Sequence, residues 1–297
     1  MNIKTLVILI ATFFCNSLYA APPFMNFEGV GGGGIVPGAY RVNPPKKGET
    51  FGKPAISNWD LIGLNESNDN LYTNGITISF LDRYEMGYVL EQVDFRRVRS
   101  TLLKATNGTM DVKRDTIYMH NVHFKTVLAH ETDKLPAFAV TAEFKYNETI
   151  DEQNKNIGHA LDDLGFDDNF GIDLDFSISN TNTSMLGYPV VFHGNIRLTK
   201  GHYLGLLGFS EDYTSNAEAS IAIIPTQTFG YGFEIRQQND EFKSISPDLD
   251  MKEDAFWDVF ITWMPNKKLS FAAAFSRFGN IVDKDVDFFV FNAKYDF

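Results

Sequence analysis

The side chains best suited to chemistry in this chain stand one residue apart from apolar ones, in several separate stretches. Glu143 and Lys145 alternate with Phe144 and Tyr146, and Asp173 and Asp175 with Ile172, Leu174 and Phe176. His193, Asn195 and Arg197 alternate with Phe192 and Ile196, Glu234 and Arg236 with Phe233 and Ile235, and Asp258 with Trp257 and Val259. Carboxylates, guanidinium groups and an imidazole can move protons, pair with one another or line a path for polar solutes. In an apolar medium they must be paired or wet. The set therefore implies a water-filled passage or an interior closed by ion pairs.

Local signatures of catalysis and of cofactors are missing. The six histidines are His120, His123, His130, His159, His193 and His202, and none falls in a His-Glu-x-x-His pattern; Gly-x-Ser-x-Gly is also absent. A site assembled from separate strands would leave no such motif, so an enzyme remains the third reading. The glycine-rich run 29–34 lacks the Gly-Lys-Ser/Thr ending of a phosphate loop. It reads as a flexible turn or as a segment packed tightly against a wall. Asp162-Asp163-Leu164-Gly165-Phe166-Asp167-Asp168 lacks the alternating ligands and distal Glu of a calcium loop and reads as a solvated loop. No metal site and no cofactor is expected.

Composition bounds the partners. The 297 residues carry a formal charge of −12. The first twenty read as an export signal: Lys4, an apolar run from Leu6 to Cys15, and a cut at Ala20 with Ala21 as the alternative. Thr12-Phe13-Phe14 before Cys15 lacks the small residue of a lipoprotein cut. A cut after Ala20 removes Lys4 and no acid, so 25 basic and 38 acidic residues leave −13. That disfavours nucleic acid. Cys15 is the only cysteine, so the exported chain holds no disulfide and no thiolate-bound metal.

The elements that must hold these residues are strands. In a barrel strand, lipid-facing apolar residues alternate with lumen-facing ones. The last segment does so throughout: Phe289, Phe291, Ala293, Tyr295 and Phe297 oppose Val290, Asn292, Lys294 and Asp296. Trp257 and Trp263 bracket Val259 and Ile261, as indoles do at the two membrane interfaces. Further strands are predicted near 74–82, 84–95, 116–129, 202–210, 216–225 and 268–278. The total is about 12, and 38–43 and 55–64 would make 14. The fold class is all-β: an antiparallel up-and-down transmembrane barrel over 21–297, with a Gly-rich segment at 24–37 and short helices in long connections. A soluble sandwich would seldom place charges mid-strand as here. Short turns are predicted at 199–202, 225–228 and 265–268. Counting back from Phe297 then puts the long connections 96–115 and 149–169 on the periplasmic side, where they read as periplasmic or plugging helices. Ile157-Gly158-His159-Ala160-Leu161 is the helical stretch.

Phe291, Ala293, Tyr295 and Phe297 resemble the outer-membrane assembly signal, which ends on a terminal Phe. Five longer stretches resemble a family of uncharacterised proteobacterial outer-membrane proteins, defined only as a domain of unknown function. They are Glu28-Gly29-Val30-Gly31-Gly32-Gly33-Gly34-Ile35-Val36-Pro37, Asp82-Arg83-Tyr84-Glu85-Met86, Leu135-Pro136-Ala137, Arg197-Leu198-Thr199-Lys200 with Gly205-Leu206-Leu207-Gly208-Phe209, and Trp257 through Phe271. The resemblance implies a barrel in the outer membrane, surrounded by lipid and lipopolysaccharide and inserted by the barrel assembly machinery. It brings no catalytic residue.

The first functional expectation is a narrow, porin-like channel for small solutes, because about 12 strands enclose less space than the 16–18 of general porins. The alternative is a closed, non-transporting barrel that binds a partner or anchors an envelope complex.

Overall fold

Period-two alternation puts every second side chain of a strand on the same face of a sheet, and a sheet apolar on one face must close or pack. Here it closes. The computed structural model describes residues 24–64, 69–94, 96–114, 116–163, 165–238, 254–280 and 285–297. The export segment with Ala20 and Ala21 lies outside the described residues. The strands are β1 (Ala55–Gly63), β2 (Asn70–Phe80), β3 (Tyr84–Asp94), β4 (Thr116–Ala129), β5 (Ala137–Asn147), β6 (Phe170–Asn182), β7 (Val190–Gly201), β8 (Phe209–Thr226), β9 (Phe229–Arg236), β10 (Phe256–Trp263), β11 (Leu269–Asn280) and β12 (Asp285–Asp296). Each pairs antiparallel with its sequence neighbours, and β1 pairs with β12 from Ala55↔Asp296 to Gly63↔Phe288, which closes a barrel of 12 strands.

The outer face carries a belt of exposed apolar side chains that includes Ile76, Phe124, Phe176, Ile196, Ile261 and Phe291. No described helix is long and apolar enough to cross a membrane. A closed barrel with an apolar belt is the structure that crosses with strands, and the protein resides in the outer membrane. Trp257 and Trp263 both point outward at opposite ends of β10, against Phe275 and Phe271 respectively. Phe291, Ala293, Tyr295 and Phe297 lie on the outer face of the C-terminal stretch.

Three details differ from the sequence reading. The segment 55–64 is indeed a strand, β1, but 38–43 is not. The segment 202–210 is not a separate strand either. His202–Gly205 forms a tight turn in which Tyr203 and Leu204 take left-handed φ of 46° and 65°, and Phe209–Thr226 then runs as one strand. The apolar run from Leu204 to Phe209 mimics a strand because it packs inward. One strand added and one omitted leave the count at 12 but reverse the sidedness upstream. The short turns are 81–83, 130–136, 183–189, 227–228 and 264–268, all at the end that holds Phe297. The connections that follow β3, β5, β7 and β9 leave from the other end, so the segments 96–115 and 149–169 belong to the end opposite Phe297 and not to its own, where counting back had put them. Longer connections of such barrels face the exterior.

Those outer connections fold over the barrel mouth. They hold α1 (Arg96–Ala105), α2 (Ile150–Asn156) and α3 (Ala160–Asp163). The helical stretch expected at 157–161 is a break at Gly158 and His159, both with positive φ, between α2 and α3. Val98, Leu102, Ile150, Leu161 and Phe166 bury themselves in one apolar cluster with Ile117, Met119, Phe256 and Phe278 of the wall. Asn147 fastens this lid: its Nδ2 donates to the carbonyls of Gly205 and Leu206, both at 3.1 Å, and its Oδ1 accepts from Thr149 and Ile150. Asp162, Asp163, Asp167 and Asp168 stay exposed, as expected of a solvated loop, while Phe166 is buried in the lid and Asp162 contacts Asn154 and His159.

Candidate functional site

The charged residues that alternate along β5, β6, β7, β9 and β10 all face the lumen, and none is more than 6% exposed. What fills the space between them is the N-terminal segment 24–43. It threads the barrel ahead of β1 and buries Met25, Phe27, Glu28, Val30, Val36 and Val42 to 2% exposure or less.

Glu28 is the centre of the arrangement. Its Oε1 meets Lys145 Nζ at 2.6 Å, and its Oε2 meets Arg197 at 2.7 Å and Arg236 at 3.0 Å. The three cations reach outward from there. Lys145 also pairs with Asp173 at 2.8 Å; Arg197 pairs with Asp173, Asp175 and Glu218 at 3.1, 3.2 and 3.0 Å; Arg236 pairs with Glu218 at 2.9 Å. Glu143 lies 3.5 Å from Arg197 and 3.9 Å from Lys145. Asn195 Nδ2 bridges Asp175 and Glu218. Strand pairing explains the cluster: Glu143 sits opposite Asp173, Asp175 opposite Arg197, and Glu218 opposite both Asn195 and Arg236.

Two further nodes hold the same segment. Glu85 accepts the amides of Gly31 at 3.0 Å and Val42 at 2.6 Å, and it faces Lys125 at 3.3 Å and His123 at 3.5 Å. Lys125 donates to the carbonyls of Gly31 and Tyr40. Glu234 accepts the amides of Gly34 and Ile35 at 2.8 and 2.6 Å and the Ser220 hydroxyl at 2.7 Å. Each node satisfies backbone groups that strand pairing does not reach. The glycine run is therefore the packed segment and not a mobile turn. A Cβ on Gly33 would fall 1.6 Å from Glu234 Oε1, and one on Gly32 would fall 2.4 Å from the Val36 carbonyl oxygen.

At the turn end, Ser179 Oγ accepts the Ala39 amide and bonds His193 Nδ1, both at 2.7 Å. A serine–histidine pair is a unit of nucleophilic catalysis. Here Ala39 and the ring of Tyr40, 5.7 Å from the His193 ring, cover it, and the pair holds the plug. Tyr40 donates to Glu131 at 2.5 Å and contacts Thr181 at 3.0 Å. Burial and the Glu131 carboxylate push the Tyr40 hydroxyl well up, so it keeps its proton and donates. Burial also raises Glu131, against the pull of hydrogen bonds from Tyr40, the Thr181 amide and Asn180. No group of three metal-ligating side chains converges among the described residues.

Sequence reasoning named the residues on β5, β6, β7, β9 and β10 and missed Glu28, Glu85, Lys125 and Glu218. The last three follow the same alternation and could have been found by it. Glu28 stands in no strand, and only its acidity beside a glycine run hints at a role.

The fold is that of known outer-membrane barrels. The KdgM porin superposes with a TM-score of 0.50 at 7% identity, covering 82% of this chain and 99% of the porin. Omp33 of Acinetobacter baumannii gives 0.48 at 9% identity, covering 84% and 99%. An outer-membrane channel of Pseudomonas putida F1 gives 0.44 at 9%, covering 85% and 96%. No curated protein sequence matches the chain. A family model described as a protein of unknown function, DUF3034, matches residues 22–288, nearly the whole chain, and the protein belongs to that family of outer-membrane barrels.

Proposed function

We propose that the protein is an outer-membrane channel for small solutes, shut in its resting state by residues 24–43. The observation that carries this reading is how the plug is held. Its fastenings are ion pairs and hydrogen bonds to a charged wall. A barrel built only to be closed gains more from an apolar filling, since buried ion pairs are often no better than apolar residues of the same volume. A charged wall makes sense if water meets it when the plug shifts. The shared fold with a porin is consistent with this and carries nothing about the solute. In this reading Glu143, Lys145, Asp173, Asp175, His193, Asn195, Arg197, Glu234, Arg236 and Asp258 form the polar wall. Phe291, Ala293, Tyr295 and Phe297 serve assembly, and Trp257 and Trp263 mark the interfaces beside lipid and lipopolysaccharide.

Conductance across planar bilayers tests it. The full protein should show brief, low openings, and deletion of 24–43 should give steady, larger ones. Silence from both proteins would defeat the reading. A second reading, a closed barrel that presents its lid to an envelope partner, is favoured by the apolar packing of α1, α2 and α3 over the mouth. It predicts silence in bilayers together with partner capture that is lost when 96–114 is replaced by a short turn.

A further inference from the structure

The plug's polar fastenings lie on one side of the barrel, while Phe27, Ile35 and Val36 meet the opposite wall, at Trp59, Ala274, Phe278 and Val290, only through apolar packing, which can slide. From residues 26 to 42 its hydrogen bonds reach wall side chains from Thr77 on β2 round to Arg236 on β9. Among the described residues none of them reaches β10, β11, β12 or β1, until Asn43 meets Asp296 at the turn end. On that opposite wall the inner side chains of β11 are small at three successive positions, Ala272, Ala274 and Ser276. A cavity of about 30 Å³ lies between this wall and Phe27, Gly33, Gly34 and Ile35 of the plug. That is room for a water-sized species.

The cavity is mostly apolar with a few polar groups turned into it, the usual make-up of a solute site. Trp59 Nε1, Asp258 Oδ1 and Thr262 Oγ1 line it, are buried, and have no hydrogen-bond partner in the protein. Strand register sets Thr262 and Trp59 on one level, through Thr262 opposite Ala272, Ala272 opposite Asn292 and Asn292 opposite Trp59, while Asp258, opposite Ser276, stands two inward positions further along β10, beyond the level of Phe260 and Ala274. Asp258 is the one charged residue that lines the cavity among the described residues, and the residue across the next strand pair is the acidic Glu234. Buried polar atoms without partners are costly, and these three face a cavity where no hydrogen bond ties the plug to the wall.

We infer that solutes pass between the fixed plug and the β10–β12–β1 wall, and that Asp258, Thr262 and Trp59 form its constriction and favour small cations and ammonium compounds. This rests on the channel reading above. The seam carries the brief, low openings of the full protein with the Glu28 node intact, and the larger openings come only when the plug shifts and water meets the charged wall.

The test uses the full protein in planar bilayers under a KCl gradient, with heat-modifiable mobility as the check of folding. Asp258→Asn should lower the preference for K⁺ over Cl⁻. Ala274→Trp should cut conductance by about tenfold or more, since an indole overfills a space of this size. Ala273→Trp, on the outer face of the same strand, should leave it unchanged. If Ala274→Trp fails to fold, Ala274→Cys is read instead: modification by a cationic thiosulfonate in the folded protein is expected, and complete protection overturns the proposal. A conducting wild type unmoved by Asp258→Asn and Ala274→Trp overturns the seam and leaves the channel standing. A wild type that never conducts overturns the seam, and silence from the protein lacking 24–43 as well overturns the channel reading with it.

Discussion

Glu28 meets three cations at once, and every other acid of the cluster shares a cation with it. Removing one partner from a buried charge network leaves the others desolvated and unpaired. Glu28→Gln should therefore lower the unfolding free energy in detergent by about 3–5 kcal/mol, read as a drop in denaturant midpoint. An unchanged midpoint would mean that Lys145, Arg197 and Arg236 find enough compensation from Asp173, Asp175 and Glu218. Gly33→Ala acts by volume instead of charge. The added carbon lands on Glu234, and either the carboxylate or the plug must give way, at a cost of about 1–3 kcal/mol. Most of the residues in this site were readable in advance. Arg197 and Asp175 declare themselves by standing between apolar neighbours, and parity then says which way they face. Glu28 does not, because its partners come from strands 117 to 208 residues away.

Two elements decide how the barrel is closed at each end. At the turn end the latch is Tyr40 on Glu131, which lies in the 130–136 turn outside the membrane-spanning strands. Burial raises Glu131 above its ordinary value, so the folded latch binds its proton more readily than the unfolded chain does. Its contribution to stability is present in acid and is lost as pH rises through the folded value. The plug should thus loosen as pH rises through that range, seen as more frequent openings, and Glu131→Gln should flatten the dependence. A pH profile identical in the two proteins would count against the latch. At the other end, Gly205 holds a φ of +96° and a Cβ there would lie 2.2 Å from the Phe209 ring. The same turn defeated the sequence reading. Leu204 to Phe209 has the composition of a strand, and nothing local shows that the chain reverses there into a longer β8.

For the whole molecule, the count of strands and the position of the long connections now agree. The lid helices share one end with Arg236 and Phe256, where β9 stops and β10 starts, and the short turns share the other with Phe297. On intact cells a membrane-impermeant thiol reagent should label Lys104→Cys in α1 and spare Lys134→Cys in the 130–136 turn. The reverse pattern would invert the orientation. The barrel itself was legible because alternation is a property of neighbours in sequence. The plug was not, because a glycine-rich segment carries no period and its role lies in what surrounds it.

The plug precedes β1 in the chain, and β1 closes the barrel against β12. The plug is therefore tethered, through residues 44–54, to the strand that seals the barrel. Until the plug is in place, Lys145, Arg197 and Arg236 lack the carboxylate they share, and a barrel zipped shut around nothing carries that deficit in its interior. A seated plug thus favours the sealed β1–β12 seam, and the sequence that blocks the lumen also braces the wall around it.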